Sequence, residues 1–109
     1  MTQDIIIGTE LKFNMLIQPI DNMHAIDFDF SVKAYGQSKT GGNPRAYILI
    51  QKDDCAQEDD DNYIVPVNTS TLSPGTLILE LTAYIPDLTF IDGYRTEMIR
   101  HETDINLIR

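Results

Sequence analysis

Along most of this chain apolar and polar residues alternate with a period of two. Leu11, Phe13, Met15 and Ile17 alternate with Glu10, Lys12 and Asn14, Leu16 being the exception, which is the pattern of a strand with one buried face. Ile26, Phe28, Phe30, Val32 and Ala34 alternate with Asp27, Asp29, Ser31 and Lys33 more regularly still. Residues 36–44 (GQSKTGGNP) read as a loop, and a strand over 45–52 follows with Ala46, Ile48 and Ile50 on one side. The next strand is predicted over 62–67, where Pro66 removes a backbone donor and points to an edge or a strand end. Residues 69–75 read as a turn or a single helical turn. Leu77, Leu79, Leu81, Ala83 and Ile85 then alternate with Ile78, Glu80, Thr82 and Tyr84, and apolar bulk on both sides predicts a central strand. Pro86-Asp87 ends it, Asp92-Gly93 makes a turn, and an extended segment resumes over 94–102, with Ile105 and Leu107 in a short closing strand. Strands spaced by about ten to fifteen residues predict an all-β fold, an antiparallel immunoglobulin-like β-sandwich of about seven strands. It is expected to be one domain over residues 1–109, with residues 1–10 as an N-terminal arm.

Size and charge narrow the function. With 109 residues, 12.4 kDa and 42% hydrophobic residues, the chain has room for one core and none for a multidomain enzyme. Seventeen acidic against eight basic side chains give −9, the wrong sign for neutralising phosphates, so nucleic acid is not an expected partner. The acid is concentrated. Asp53, Asp54, Glu58, Asp59, Asp60 and Asp61 fall in nine positions with no basic residue, and the other 100 positions carry 11 acids against 8 bases, or −3. Cys55 is the only cysteine, which excludes an intramolecular disulfide. The first residues lack a basic segment and hold only three consecutive apolar residues, Ile5-Ile6-Ile7. Neither a signal peptide nor a membrane contact is expected, and synthesis is expected in the cytoplasm.

The residue types that carry catalysis are present without the spacing it needs. The acidic loop offers Asp59, Asp60 and Asp61 as candidate calcium ligands, since hard cations take many oxygen ligands. The loop leads straight into a strand, however, without the Gly and Glu spacing of an EF-hand, and reads better as a solvated loop or a contact for a basic patch. Asp27 and Asp29, two apart, share a face that a strand with an apolar opposite face needs to be polar. His24 and His101 are 77 positions apart with no further ligand pattern. There is no Gly-x-Ser-x-Gly elbow, Gly41-Gly42-Asn43-Pro44 lacks the lysine of a phosphate loop, and acidic neighbours disfavour a Cys55 thiolate. No enzyme and no cofactor are expected. Residues 86–97 (PDLTFIDGYRTE) are the most distinctive stretch. They predict a bend anchored by Leu88 or Phe90 in the core, a tight turn at Asp92-Gly93, and Arg95 paired with Asp87, Asp92 or Glu97.

Phe28-Asp29-Phe30 in an early strand, then residues 61–69 (DNYIVPVNT), then Gly75 leading a long strand into residues 83–87 (AYIPD), then residues 92–97 (DGYRTE) occur in an order that is familiar. It resembles small β-sandwich structural proteins of tailed phages and prophages of Bacteroides-type hosts, which are similar to the N-terminal domain of the phage baseplate upper protein. The likeness runs from about Leu11 to Ile105; Thr89 stands where that pattern has an acid and Ile91 where it has proline. The resemblance implies a virion structural or adaptor protein that binds other virion proteins, forms homo-oligomers such as trimers or hexamer rings, and is made in the host cytoplasm. In that setting Ile5, Ile6 and Ile7 are candidate partner contacts, able to pair with a neighbour's sheet edge or to form a first strand within the chain. The alternative is a carbohydrate-binding or calcium-dependent adhesion module, against which stands the absence of Trp.

Overall fold

Each apolar alternation becomes a strand where a second surface is available to bury it. The computed structural model describes residues 2–38, 40 and 46–109. Among these the strands are β1 (Gln3–Ile6), β2 (Glu10–Leu16), β3 (Asp29–Gln37), β4 (Ile48–Gln51), β5 (Ala56–Gln57), β6 (Asn62–Asn68), β7 (Gly75–Pro86) and β8 (Tyr94–Ile108). One-turn 3-10 segments lie at Ala25–Asp27, Lys52–Asp54 and Thr69–Thr71. The strands form a five-stranded sheet in the order β1-β8-β7-β3-β4 and a three-stranded sheet in the order β2-β6-β5, a sandwich-like all-β fold. Lys39 and residues 41–44 of the predicted loop and Arg45 of the predicted third strand lie outside the described residues.

The core is where the inward rows of the two sheets meet. Phe30, Val32 and Ala34 of β3 and Leu77, Leu79, Leu81, Ala83 and Ile85 of β7 face Tyr63, Val65 and Val67 of β6, all buried. The Phe30 and Tyr63 rings meet edge to face at 5.0 Å between the sheets, a preferred aromatic geometry. As predicted, β7 is central, hydrogen-bonded to β3 on one side and β8 on the other.

Several expectations are corrected. The sheets are not wholly antiparallel, because β1 runs parallel to β8, from Gln3 opposite Ile105 to Ile6 opposite Ile108. The chain then turns at Gly8 (φ 108°) and crosses to the other sheet as β2. The strand expected from Ile26 begins only at Asp29. The Lys52 ammonium donates to the carbonyls of Ala25, Ile26 and Phe28 at 2.9, 3.3 and 2.7 Å, and these contacts hold residues 25–27 in a tight turn with Ile26 exposed. Asp27 and Asp29 therefore do not share a strand face. The extended segment at 94–102 and the expected short strand at Ile105 and Leu107 are one continuous β8. Pro66 lies in the middle strand of its sheet, but β5 reaches only Tyr63 and Ile64, so at Pro66 the strand has one neighbour, β2.

Two glycines mark the closest backbone approach, where the end of β3 passes the entry to β7. A Cβ on Gly36 would overlap the Ser73 carbonyl, and one on Gly75, at φ 133°, the Gln37 carbonyl. Gly36→Ala is expected to cost about 3 kcal/mol in urea unfolding, since neither backbone can yield. Gly93→Ala, with open space around its Cβ, is expected to cost about 1 kcal/mol from its left-handed conformation alone. Equal costs would contradict this crossing.

Candidate functional site

The bend between β7 and β8 is held by polar groups. Asp87 accepts from the backbone N–H and hydroxyl of Thr89 at 3.0 and 2.6 Å, which holds its carboxyl below the usual range, with Arg95 adding to the effect. The Asp87 N–H donates to the Gly93 carbonyl at 2.8 Å, and Gly93, at φ 81°, donates to the Phe90 carbonyl at 2.9 Å. Arg95 pairs with Glu97, with Asp87 at 3.5 Å, and with Asp21 in the loop after β2. Asp92 is not its partner; it accepts from the Tyr94 N–H at 3.4 Å. Leu88 and Phe90, expected to anchor the bend in the core, are exposed at 96% and 48%, and Ile91 is fully exposed. The carboxylate and backbone bonds close the turn without an apolar anchor. No local signal in the sequence points to Asp21, 74 positions from Arg95.

In the acidic loop two of the three candidate ligands, Asp59 and Asp61, are turned to separate tasks. One oxygen of Asp59 accepts the N–H groups of Asp61 and Asn62, each at 2.9 Å, and both its oxygens take the Asn62 amide, which lowers the Asp59 pKa. Asp61 is bonded to His24 Nδ1 at 2.9 Å. Asp54 accepts the Gln51 N–H, closing a capping box. Among the described residues no three His, Cys, Asp or Glu side chains converge as a metal site would need. The Cys55 thiol is pushed up to about 11 by burial, with Asp54 adding to it, the reverse of what a nucleophilic thiol requires.

The open flank of the sandwich is the feature with the largest unsatisfied capacity. β1 covers only Ile105–Ile108 of β8. Residues 94–102 are paired with β7 on one side, the ladder then slipping opposite Leu77, and residues 94–104 therefore have, among the described residues, no strand on the other side. The outer edge of β2 is open as well. Between these two edges the sheets part to leave a groove of about 290 Å³, lined among others by Phe13, Met15, Leu16, Leu81, Ile99 and His101. Pairing of β8 with β7 puts Arg95, Glu97, Ile99 and His101 on the same face as Ile85, Ala83, Leu81 and Leu79. Those four side chains face inward where the second sheet does not reach, so the strand lacks the apolar stripe that sequence patterning detects. Ile5 and Ile7 pack against the chain's own core while Ile6 is 63% exposed, so the N-terminal residues form a strand within the sheet.

A second surface lies on the outer face of the five-stranded sheet. Tyr35, Tyr84 and Tyr94 project from it by the register of their strands, and Tyr47, just before β4, lies beside Lys33 of the same face. Tyr35 donates to Glu80, and the Lys33 ammonium lies 4.5 Å from the centre of the Tyr47 ring. A shallow recess is lined by Asp29, Tyr84, Asp92, Tyr94 and Thr96. Among the described residues no helix is long and apolar enough to cross a membrane. The chain matches no protein-family model, no curated protein and no solved structure.

The His24–Asp61 pair makes stability depend on pH. The hydrogen bond and charge of Asp61 raise the His24 pKa above 6.5, so the folded chain holds this proton more tightly than the unfolded one. That contribution is fully present below pH 6.5 and is lost as pH rises through the raised folded value. Thermal melts from about pH 5.5 to 8.5 should show wild type losing its advantage over His24→Gln as pH increases. An advantage that grows with pH would contradict the pairing.

Proposed function

We propose that this chain is an immunoglobulin-like sandwich serving as a non-enzymatic structural or adaptor protein of a phage virion, in the tail, baseplate or fibre attachment, through contacts with other protein subunits. Strand order supports the immunoglobulin-like assignment. The second, fifth and sixth strands share one sheet, and the third, fourth, seventh and eighth the other, the partition of strands B, D, E and C, C′, F, G in that plan. The departure is the first strand, which lies beside the last.

The observation that carries the functional reading is the open flank: an unpaired edge over residues 94–104 beside a groove that leaves Ile99 and Leu16 half-exposed. Unpaired edges and exposed apolar clusters are costly to leave in water and are used for docking other chains. Among the described residues no acidic cluster converges as a metal cradle, and the Cys55 thiol is held in its unreactive form. The virion setting comes from the order of residues that resembles small β-sandwich structural proteins of Bacteroides-type phages and prophages, which are similar to the N-terminal domain of the phage baseplate upper protein.

A second reading, carbohydrate binding, draws on the recess of Tyr84, Tyr94, Asp29 and Asp92, a ring-and-carboxylate combination suited to sugars. The adaptor reading expects a glycan array to retain none of its sugars, whereas a glycan bound by wild type and lost in Tyr94→Ala would establish the second reading. For the virion assignment itself, mass spectrometry of purified phage particles from the producing host should find the chain at a fixed copy number beside tail or fibre subunits. Absence from particles, together with a gene lying away from portal, tail and fibre genes, would overturn it.

A further inference from the structure

The free edge of β8 has a symmetry that specifies its partner. It is bounded at one end by the Gly93 bend and at the other by β1, which starts opposite Ile105, and its ladder with β7 is regular from Tyr94 to Glu102 before a register shift opposite Leu77. Residues 94–104 have, among the described residues, no strand on their outer side, and Ile99 lies at the centre of that stretch. Identical antiparallel edges join through a two-fold axis normal to the sheet. Because side chains alternate between faces, that axis pairs only residues of the same parity, and it must pass through a residue and not between two.

Centring on Ile99 pairs Thr96 to Glu102, all within the regular ladder, with the same residues of the copy and brings only Tyr94 and Arg95 against the register shift at 103–104. It places Ile99 against its own copy, Glu97 opposite His101 and His101 opposite Glu97, Met98 opposite Arg100, Thr96 opposite Glu102, and Arg95 opposite Thr103. No two like charges are opposed. Moving the axis to Met98 sets Glu97 opposite Ile99 and leaves that carboxylate without a donor across the seam, and moving it to Arg100 opposes two guanidinium groups, which is unfavourable across a sheet. The edge is also the part of the surface where self-association meets little net repulsion: residues 94–104 hold two arginines and three carboxylates, a net −1 of the chain's −9. At its middle stand Met98, 69% exposed, and Ile99, 47% exposed, apolar side chains that pairing would cover.

We propose that residues 96–102 of β8 pair antiparallel with the same residues of a second copy of this chain, about a two-fold axis through Ile99, joining two five-stranded sheets into one. This rests on the reading of the chain as a contact module and names the partner of its open flank. The charged side chains along β8 then act as register keys as well as guards against unrelated edges.

Sedimentation equilibrium of the purified chain should give a reversible dimer of twice 12.4 kDa. Ile99→Lys sets two ammonium groups at the axis, and His101→Glu sets a carboxylate opposite Glu97 twice; each should weaken dimerisation by about tenfold or more. The double variant Glu97→His/His101→Glu restores opposite partners in this register alone and should recover most of the loss. Leu49→Lys, on the far edge of the same sheet, should leave the dimer intact, and circular dichroism confirms that each variant is folded. A wild type that stays monomeric at several hundred micromolar, or a dimer broken by Leu49→Lys and indifferent to Ile99→Lys, would overturn the proposal. A monomeric chain found in particles would leave the virion reading standing without this pairing. A β8-paired dimer absent from particles would do the reverse.

Discussion

Every strand carries a row of backbone donors and acceptors on each side, and a sheet is stable only as far as those rows find partners or water. In this chain a strand of four residues, β1, lies along one of fifteen, β8. The short strand satisfies the last turnings of β8 and then, through the left-handed Gly8, the chain leaves for the opposite sheet. The mismatch fixes what remains outside: a long unpaired edge, and beside it the gap between the sheets. On the opposite flank β7 is paired along its length with β3, and β3 with β4. The asymmetry of the molecule is therefore set by backbone pairing, and the side chains follow.

Two basic residues compensate where strands end. Lys52 collects the carbonyls of three residues that leave the ladder before β3, and its ammonium lies near the rings of Phe30 and Tyr63, 5.7 and 5.9 Å from their centres. Arg95 joins the β7–β8 bend to the loop carrying Asp21. A guanidinium presents several donors in a fixed plane and can serve three carboxylates at once, which suits a bend whose apolar residues, Leu88, Phe90 and Ile91, stay in water. That bend borders the free edge, so the Arg95 contacts also define where the open stretch of β8 begins.

The strands centred on Phe13, Val65 and Leu81 were legible because each puts one clean apolar row against the other sheet, and burial on one face is what period-two alternation records. The stretch from Ile26 to Phe28 carries the same alternation without forming a strand, because Lys52 supplies hydrogen bonds that a neighbouring strand would otherwise make. β8 read as two pieces since its inward positions before Thr103 are Arg95, Glu97, Ile99 and His101, a mixture set by the missing cover and not by secondary structure. The parallel pairing of β1, the reach of Arg95 to Asp21 and the bond from His24 to Asp61 are long-range, and no local pattern encodes them. Of the acidic loop, the charge was legible and its internal bonding through Asp59 was not.

The central claim is that β8 is paired on both sides only at Asn106 and Leu107, and residue-resolved amide hydrogen exchange on dilute protein tests it most directly. Between Tyr94 and Glu102, amides directed away from β7 should exchange close to the rate of open chain, while their alternate neighbours and those of Asn106 and Leu107 stay protected. Unbroken protection from residue 94 through residue 108 at a dilution where the chain is monomeric would contradict the account.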